Sequence, residues 1–291
     1  MLKKLFVFCM LVVLGISAAV EARVSKDSVW TTNGFVGLKF TQVSFTNWAT
    51  GGQNAIAVDG QATYQADLNK DKHVWQNRFE AAFGINNTAD DGTRKTSDKL
   101  YINSNYGYEI AKTLYVSGNV TFQTQFGPGY NYKDVKTLVS EFLSPAYLTI
   151  GAGLTYTPCK YFTAVLTPVT YKGTYILSDS ISRTGNYGVD AGKHVYNGLG
   201  ANLKLEANYE FLKNMTIYSR LELFSDYLHN PQNVDVNWEV QLNMVINKWF
   251  SASVTTNLLY DDDVKIADKH GHKSARVQFK ELLGIGLQYN F

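Results

Sequence analysis

The chain has 291 residues, with 27 Lys and Arg against 25 Asp and Glu and a formal net charge of +2, which excludes the strongly basic profile of a nucleic-acid binder. It carries 19 Tyr, 16 Phe and 5 Trp at a mean hydropathy of only −0.18, yet past the first residues it has no apolar run long enough for a spanning helix. A membrane β-barrel reconciles these facts, because its strands alternate lipid-facing and lumen-facing side chains and the average stays low.

Residues 1–22 read as a secretory signal peptide. Lys3 and Lys4 form a basic start, residues 5–16 a short apolar stretch, and small residues follow, so cleavage is expected after Ala19 or Ala22. Removing Lys3, Lys4 and Glu21 leaves 25 basic and 24 acidic residues, a net charge of +1. Cys9 goes with the leader. Cys159 is then the single cysteine, so no intramolecular disulfide can form. It sits in the turn-like Thr157-Pro158-Cys159-Lys160 without a convincing His partner, which argues against a reactive nucleophile. Residues 23–33 are expected to form a short periplasmic segment and 34–291 an outer-membrane barrel.

Period-2 alternation then dominates, the mark of strands with two unlike faces. Between residues 56 and 68, Ile56, Val58, Ala62, Tyr64, Ala66 and Leu68 share one face, and Asp59, Gln61, Thr63, Gln65 and Asp67 the other. Residues 199–211 and 234–246 behave the same way. The spacing predicts twelve strands over 34–48, 53–68, 73–85, 99–110, 114–126, 142–157, 161–171, 198–211, 215–227, 234–246, 249–260 and 276–291. In the first, the apolar face switches between Phe40 and Val43, which reads as a β-bulge. Short turns alternate strictly with longer polar segments at 86–98, 127–141, 172–197, 229–234 and 261–275. A soluble sandwich has no reason for that alternation; an outer-membrane barrel does, with short periplasmic turns and long extracellular loops. An even strand count returns both termini to the periplasmic side.

Aromatic residues fall where interfacial girdles belong: Trp75, Tyr115, Phe162, Trp249 and Tyr289 at the turn end, Trp48, Phe126, Tyr227, Trp238 and Tyr260 at the loop end. In the last strand Val277, Phe279, Leu283, Ile285, Leu287, Tyr289 and Phe291 lie on one face. That pattern, ending on an aromatic residue, looks like the C-terminal signature read by the barrel-assembly machinery. Glu281 interrupts the apolar row, and a bulge near Lys280-Glu281 would account for it.

The first hairpin contains Phe45-Thr46-Asn47-Trp48-Ala49-Thr50-Gly51-Gly52-Gln53-Asn54. This F-x-N-W-x-x-G-G-x-N stretch resembles a family of outer-membrane barrel proteins of unknown function known mainly from Bacteroidota, over roughly residues 30–291. The resemblance implies location and architecture and transfers no catalytic residue. Physically, Gly51-Gly52 suits a tight loop and Trp48 the outer girdle.

No phosphate loop, nucleotide fingerprint, zinc signature or nucleophile elbow is present, and no cofactor is expected. His73, His194, His229, His270 and His272 all fall in turns or loops on this map. Asp261, Asp262, Asp263, Asp268, His270 and His272 share one loop and form a weak candidate for a divalent cation, with a solvated charged loop as the plainer reading. A lipid-modifying enzyme would need a His and a Ser on the outer wall; no His lies in a lipid-facing segment, so the chain reads as a non-enzyme.

The inward face reads as acidic. Asp59, Asp67, Glu80, Glu109, Glu206, Glu210, Glu222, Asp226, Asp235 and Glu239 face Arg78, Lys204, Arg220 and Lys280. Such a wall would favour cations in a hydrated lumen, and twelve strands lie between a filled barrel and an open channel. The first expectation is therefore a narrow channel for small solutes. The alternative is a non-conducting barrel that binds a partner through its loops, with the 172–197 loop as the contact. The expected surroundings are outer-membrane lipid and the assembly machinery, with no nucleic acid.

Overall fold

Long alternating segments must pair with neighbours on both edges, because an unpaired strand edge cannot be satisfied in hydrocarbon. A closed barrel meets that requirement. The computed structural model describes residues 29–43, 54–88, 90–131, 136–247, 249–267 and 272–291. The proposed signal peptide, the Asn47, Trp48, Gly51 and Gly52 motif, Asp268 and His270 lie outside the described residues.

The barrel strands are β1 (Trp30–Val43), β2 (Ala55–Lys70), β3 (His73–Thr88), β4 (Gly92–Ala111), β5 (Leu114–Thr124), β8 (Ala146–Cys159), β9 (Phe162–Tyr175), β10 (Val195–Leu212), β11 (Met215–Asp226), β12 (Val234–Val245), β13 (Phe250–Tyr260) and β16 (Gln278–Asn290). Two short hairpins stand in the loops, β6 (Gly129–Asn131) with β7 (Thr137–Ser140), and β14 (Lys265–Ala267) with β15 (Lys273–Ala275). One helical turn, α1 (Asp179–Ser182), lies in the loop after β9. The twelve barrel strands pair antiparallel in chain order and β1 closes on β16. The fold is an up-and-down β-barrel of the membrane-spanning kind, with the twelve strands that the alternation predicts.

The exterior supports that description. Leu38, Phe40, Phe79, Ile102, Val116, Val120, Ile150, Leu166, Leu199, Ile217, Leu283, Ile285 and Leu287 are all exposed large apolar side chains. They alternate along their strands with the polar groups turned inward. At the turn end the rings touch in sequence: Tyr161 meets Tyr209, Trp249 stacks on Tyr289, Tyr289 on Phe291, Phe291 on Tyr64, and Trp30 leans on Trp75. These ring contacts belong to an aromatic girdle at the turn end, as expected at a membrane interface.

Both expected bulges are corrected. β1 pairs with β2 in unbroken register from Trp30↔Leu68 to Val43↔Ala55. β16 pairs with β13 in unbroken register from Phe250↔Leu287 to Leu259↔Gln278. Glu281 therefore stays in step and keeps its place on the outward face. A bulge the alternation did not reveal occurs in β9, where the register slips against both β8 and β10 around Pro168. Proline has no N–H to give the ladder, so the strand bends there.

The turn-end connections are tight. Asp71, Thr113 and Asn214 adopt positive φ of 54°, 70° and 66° in the β2–β3, β4–β5 and β10–β11 turns. The long loop after β9 is folded: Ile176, Ile181 and Val189 are buried together, with Leu138, Tyr187 and Tyr196 packed against them. The Tyr187 hydroxyl donates to the Val139 carbonyl at 2.7 Å, tying this loop to the β6–β7 hairpin.

Candidate functional site: the braced lumen and its loop-side mouth

Alternation turns Glu80 of β3, Lys99 and Tyr101 of β4, Tyr218 and Arg220 of β11, and Glu239 of β12 inward. In the ring order β3 and β11 are six strands apart in either direction, and so are β4 and β12. Side chains from these opposed walls nevertheless meet. Arg220 Nη1 lies 3.1 Å from Glu80 Oε1, and Arg220 Nη2 lies 2.7 Å from Glu239 Oε2. Lys99 Nζ bridges Glu80 Oε2 at 2.6 Å and Glu239 Oε2 at 2.8 Å. Arg78 pairs with Glu80 and lies 4.3 Å above the Tyr218 ring; Arg220 lies 4.0 Å above the Tyr101 ring.

The result is an ionic brace across the lumen. Tyr101, Arg220, Glu80 and Glu239 are only 1, 3, 5 and 6% exposed, so these side chains are almost wholly shielded from solvent. Charges this far from solvent need partners and hydrogen bonds, and each carboxylate here has cations on both oxygens or beside them.

The expected site residues divide accordingly. Arg78, Glu80, Arg220 and Glu239 come together in the brace. Glu206 accepts from the Tyr218 hydroxyl at 3.4 Å and Glu222 pairs in register with Lys204, placing both on the same inner wall. Asp59 is buried and accepts from the Ser97 hydroxyl. Asp67 is half-buried toward the turn end, and Glu210 is exposed there, where it accepts from the Asn214 amide at 2.9 Å. Asp235 pairs with Lys172 at 2.6 Å near the loops.

The inward charge is less one-sided than the alternation alone suggests. Lys39, Lys99 and Lys172 also point inward and join the four bases read from sequence. Lys39 lies in the strand whose face was ambiguous, and Lys172 was assigned to a loop, although β9 runs to Tyr175. In the brace itself Arg78, Lys99 and Arg220 face Glu80 and Glu239, a formal excess of one positive charge (3 − 2 = +1). The brace by itself therefore does not carry the acidic surplus read for the whole wall.

Above the brace, a small polar pocket of about 20 Å³ lies among the loops. Its lining includes Lys172, Tyr187, Tyr196, Phe224, Asp226, His229, Asp235, Asp261 and Asp263. Tyr196 donates to Asp226 at 2.7 Å, and His229 contacts the same carboxylate at 3.3 Å. Burial, with Asp261 adding to it, pushes the Asp263 carboxyl above its usual range, and burial pushes the Tyr187 phenol up. Asp262 is engaged by Asn233, Tyr260 and Lys265. Among the described residues no group of three or more His, Cys, Asp or Glu is arranged to hold a metal ion.

His73 is not in a turn; it is the first residue of β3, where its ring contacts Tyr106 and Tyr108 on the outside. The outward Ser104 accepts from Trp75 Nε1 and donates to Asn77 Oδ1, so its hydroxyl is engaged by groups other than an imidazole.

A family model described as a protein of unknown function, DUF3078, matches residues 40–130, from the end of β1 to β6. No curated protein matches the chain. Among solved structures, the COG4313 outer membrane channel from Pseudomonas putida F1 is similar at 11% identity and TM-score 0.40, covering 92% of this chain and 100% of that one. The translocator domain of the autotransporter NalP from Neisseria meningitidis is similar at 7% identity and TM-score 0.40, covering 99% and 98%. OmpT, an outer membrane protein of Vibrio cholerae, follows at 9% identity and TM-score 0.32, covering 93% and 100%. Likeness at this level carries nothing about what this chain does.

Proposed function

We propose that this protein is an outer-membrane β-barrel with both termini periplasmic, closed to free ion flow in this state, that works by binding a ligand or partner at its loop-side mouth. The observation that carries the reading is the brace, in which Arg220 and Lys99 join walls six strands apart. Support also comes from the folded loop after β9, whose Tyr187 lines the mouth pocket. No residue is assigned to catalysis in this reading. Lipid surrounds the apolar exterior, and Phe291 with its row is offered to the assembly machinery.

The test is conductance of the folded protein in planar bilayers. A silent barrel that passes current once Glu80 and Arg220 are both truncated supports the reading. Steady steps from the unmodified protein sink it.

A second reading, a narrow channel for small solutes, is favoured by one observation: the lumen wall carries many polar side chains, with Asn103, Asn105, Asn119, Thr155 and Ser253 buried on it. In that case the brace is the gate. Cation selectivity of the opened variant, weakened by neutralising Glu206, would support it.

A further inference from the structure

The outer wall is hollowed on β4 and β5, toward the turn end. The register there sets outward side chains in rows across the strands. The rim row runs Lys70, His73, Tyr108, Val116, and the next row runs Leu68, Trp75, Tyr106, Gly118, Ala152. Two tall rings thus give way to glycine and alanine within one row. One level deeper, Ser104 stands opposite Val120. The relief is a groove of about 390 Å³ lined by Trp75, Ser104, Tyr106, Gly118 and Val120. A Cβ on Gly118 would meet only the Gly151 carbonyl oxygen, at 3.9 Å, so the floor has room above it.

The groove and the rim differ in chemistry. In the groove, Trp75 Nε1 donates to Ser104 Oγ at 2.8 Å, and that hydroxyl donates to Asn77 Oδ1 at 2.8 Å. These polar groups are already paired, so an apolar chain can lie on them without desolvating a free donor. At the rim, His73 Nδ1 lies 2.6 Å from the Tyr106 hydroxyl, and Tyr108 meets the imidazole edge-on. With Tyr106 as donor, the ring proton stands on Nε2 and is available to an anionic oxygen. Lys70 is the register partner of His73, while Lys72 and Lys112 stand in two turns joined by the Glu109 amide donating to the Lys72 carbonyl at 2.7 Å. Among the described residues none of these three lysines joins a salt bridge. Asp71 is the one carboxylate of the two turns, and the adjoining Glu109 alternates with Tyr108 to face the lumen. The outer rim here therefore carries a surplus of two positive charges (3 − 1 = +2).

We propose that this face seats an anionic glycerophospholipid of the turn-side leaflet, with an acyl chain in the groove over Gly118 and the phosphate at His73, Lys72 and Lys112. Charge decides the occupant. Unpaired lysines at a membrane surface attract anionic head groups, and the groove that starts one row deeper takes hydrocarbon. A second copy of this chain fits less well, since two barrels side by side in one membrane share an orientation and would bring the same lysines together. The proposal rests on the membrane reading above and adds to it a lipid class and a seat.

The experiment uses the full mature chain refolded in phosphatidylcholine liposomes, with either Trp75 or Trp238 kept and the other four tryptophans changed to phenylalanine. Trp238 is exposed on the outside of β12, away from the groove. Quenching by chain-brominated phosphatidylglycerol is compared with quenching by equally brominated phosphatidylcholine, each as a minor component. At Trp75 the anionic lipid should quench severalfold more; at Trp238 the two should be equal. Changing Lys70, Lys72 and Lys112 together to Gln, or making Gly118→Leu alone, should bring Trp75 to the ratio seen at Trp238.

Equal quenching of Trp75 by the two lipids overturns the seat. Protection of Trp75 from both, with Trp238 quenched, means that protein covers the groove and overturns it as well. If neither tryptophan is quenched, the membrane reading itself fails. Folding of each variant is checked by heat-shifted gel mobility. A second measurement needs no tryptophan replacement: in native mass spectrometry the unaltered chain should retain phosphatidylglycerol over phosphatidylcholine, and the triple lysine variant should lose that preference. Retention without preference in the unaltered chain rejects the assignment.

Discussion

Arg220 on β11 and Glu80 on β3 are 140 residues apart in sequence and half the ring apart in the barrel, yet their side chains meet at 3.1 Å. Each is almost wholly buried. Arg220 also holds Glu239 and lies over Tyr101, so one guanidinium links four strands across two opposed walls. Removing a partner that leaves a buried charge uncompensated costs about 3–5 kcal/mol. Glu80→Ala leaves Arg78, Lys99 and Arg220 with Glu239 alone, and should therefore lower the thermal midpoint of the heat-shifted gel band more than Arg220→Ala, which leaves Arg78 and Lys99 facing Glu80 and Glu239. Equal loss in the two variants would show that the charge balance of the brace does not govern its stability.

Gly34 and Phe291 make the second prediction. Each backbone donates to the other, and a Cβ on Gly34 would sit 2.9 Å from two ring carbons of Phe291 and 2.5 Å from the Thr63 carbonyl. Gly34→Val should push β1 off both neighbours and lower the folded yield sharply. Phe291→Ala should lose the ring contacts with Tyr64 and Tyr289, about 0.5–1.5 kcal/mol for each. Urea midpoints of the refolded proteins check both; an unchanged midpoint in Gly34→Val would contradict the close approach.

The third concerns the loop after β9. Ile181 is fully buried in a small core with Ile176 and Val189, and truncating a buried isoleucine costs about 2–5 kcal/mol. Ile181→Ala should open residues 176–194 to limited proteolysis while the barrel band keeps its heat shift. If the barrel loses stability in parallel, the loop is not an independent cap.

A pH effect follows from Asp263. Burial and the neighbouring Asp261 raise its carboxyl in the folded state, so the folded loop binds the proton more tightly than the unfolded chain. The stabilisation is complete below the ordinary aspartate range and is lost as pH rises through the raised value. Hydrogen exchange around residues 260–265 should be slower at mildly acidic pH than at neutrality. Asp263→Asn should slow it at neutrality and flatten the dependence; a variant with the wild-type pH profile would assign the effect elsewhere.

Much of the architecture was legible in the chain itself. Alternation alone sets Asp59, Glu80, Glu206, Arg220 and Glu239 on the polar face of their strands, because in a strand every second side chain shares a side whatever the neighbours are. The short turns and the lipid-facing row from Phe279 to Tyr289 were readable for the same local reason. Lys39 and Lys172 escaped because one lay in a strand with an uncertain face and the other beyond an expected strand end. The bulge at Pro168 escaped although the residue that causes it was in plain view, since a proline marks either a bulge or an edge.

By itself, then, the sequence determined that the chain is a barrel of about twelve strands and, in its clearest strands, which residues share a face, since period-2 patterning is a property of the strand alone. Only the tertiary structure decided that the inward ions meet across the lumen and that their balance at the brace is positive. Those depend on ring closure, which sets residues six strands apart face to face.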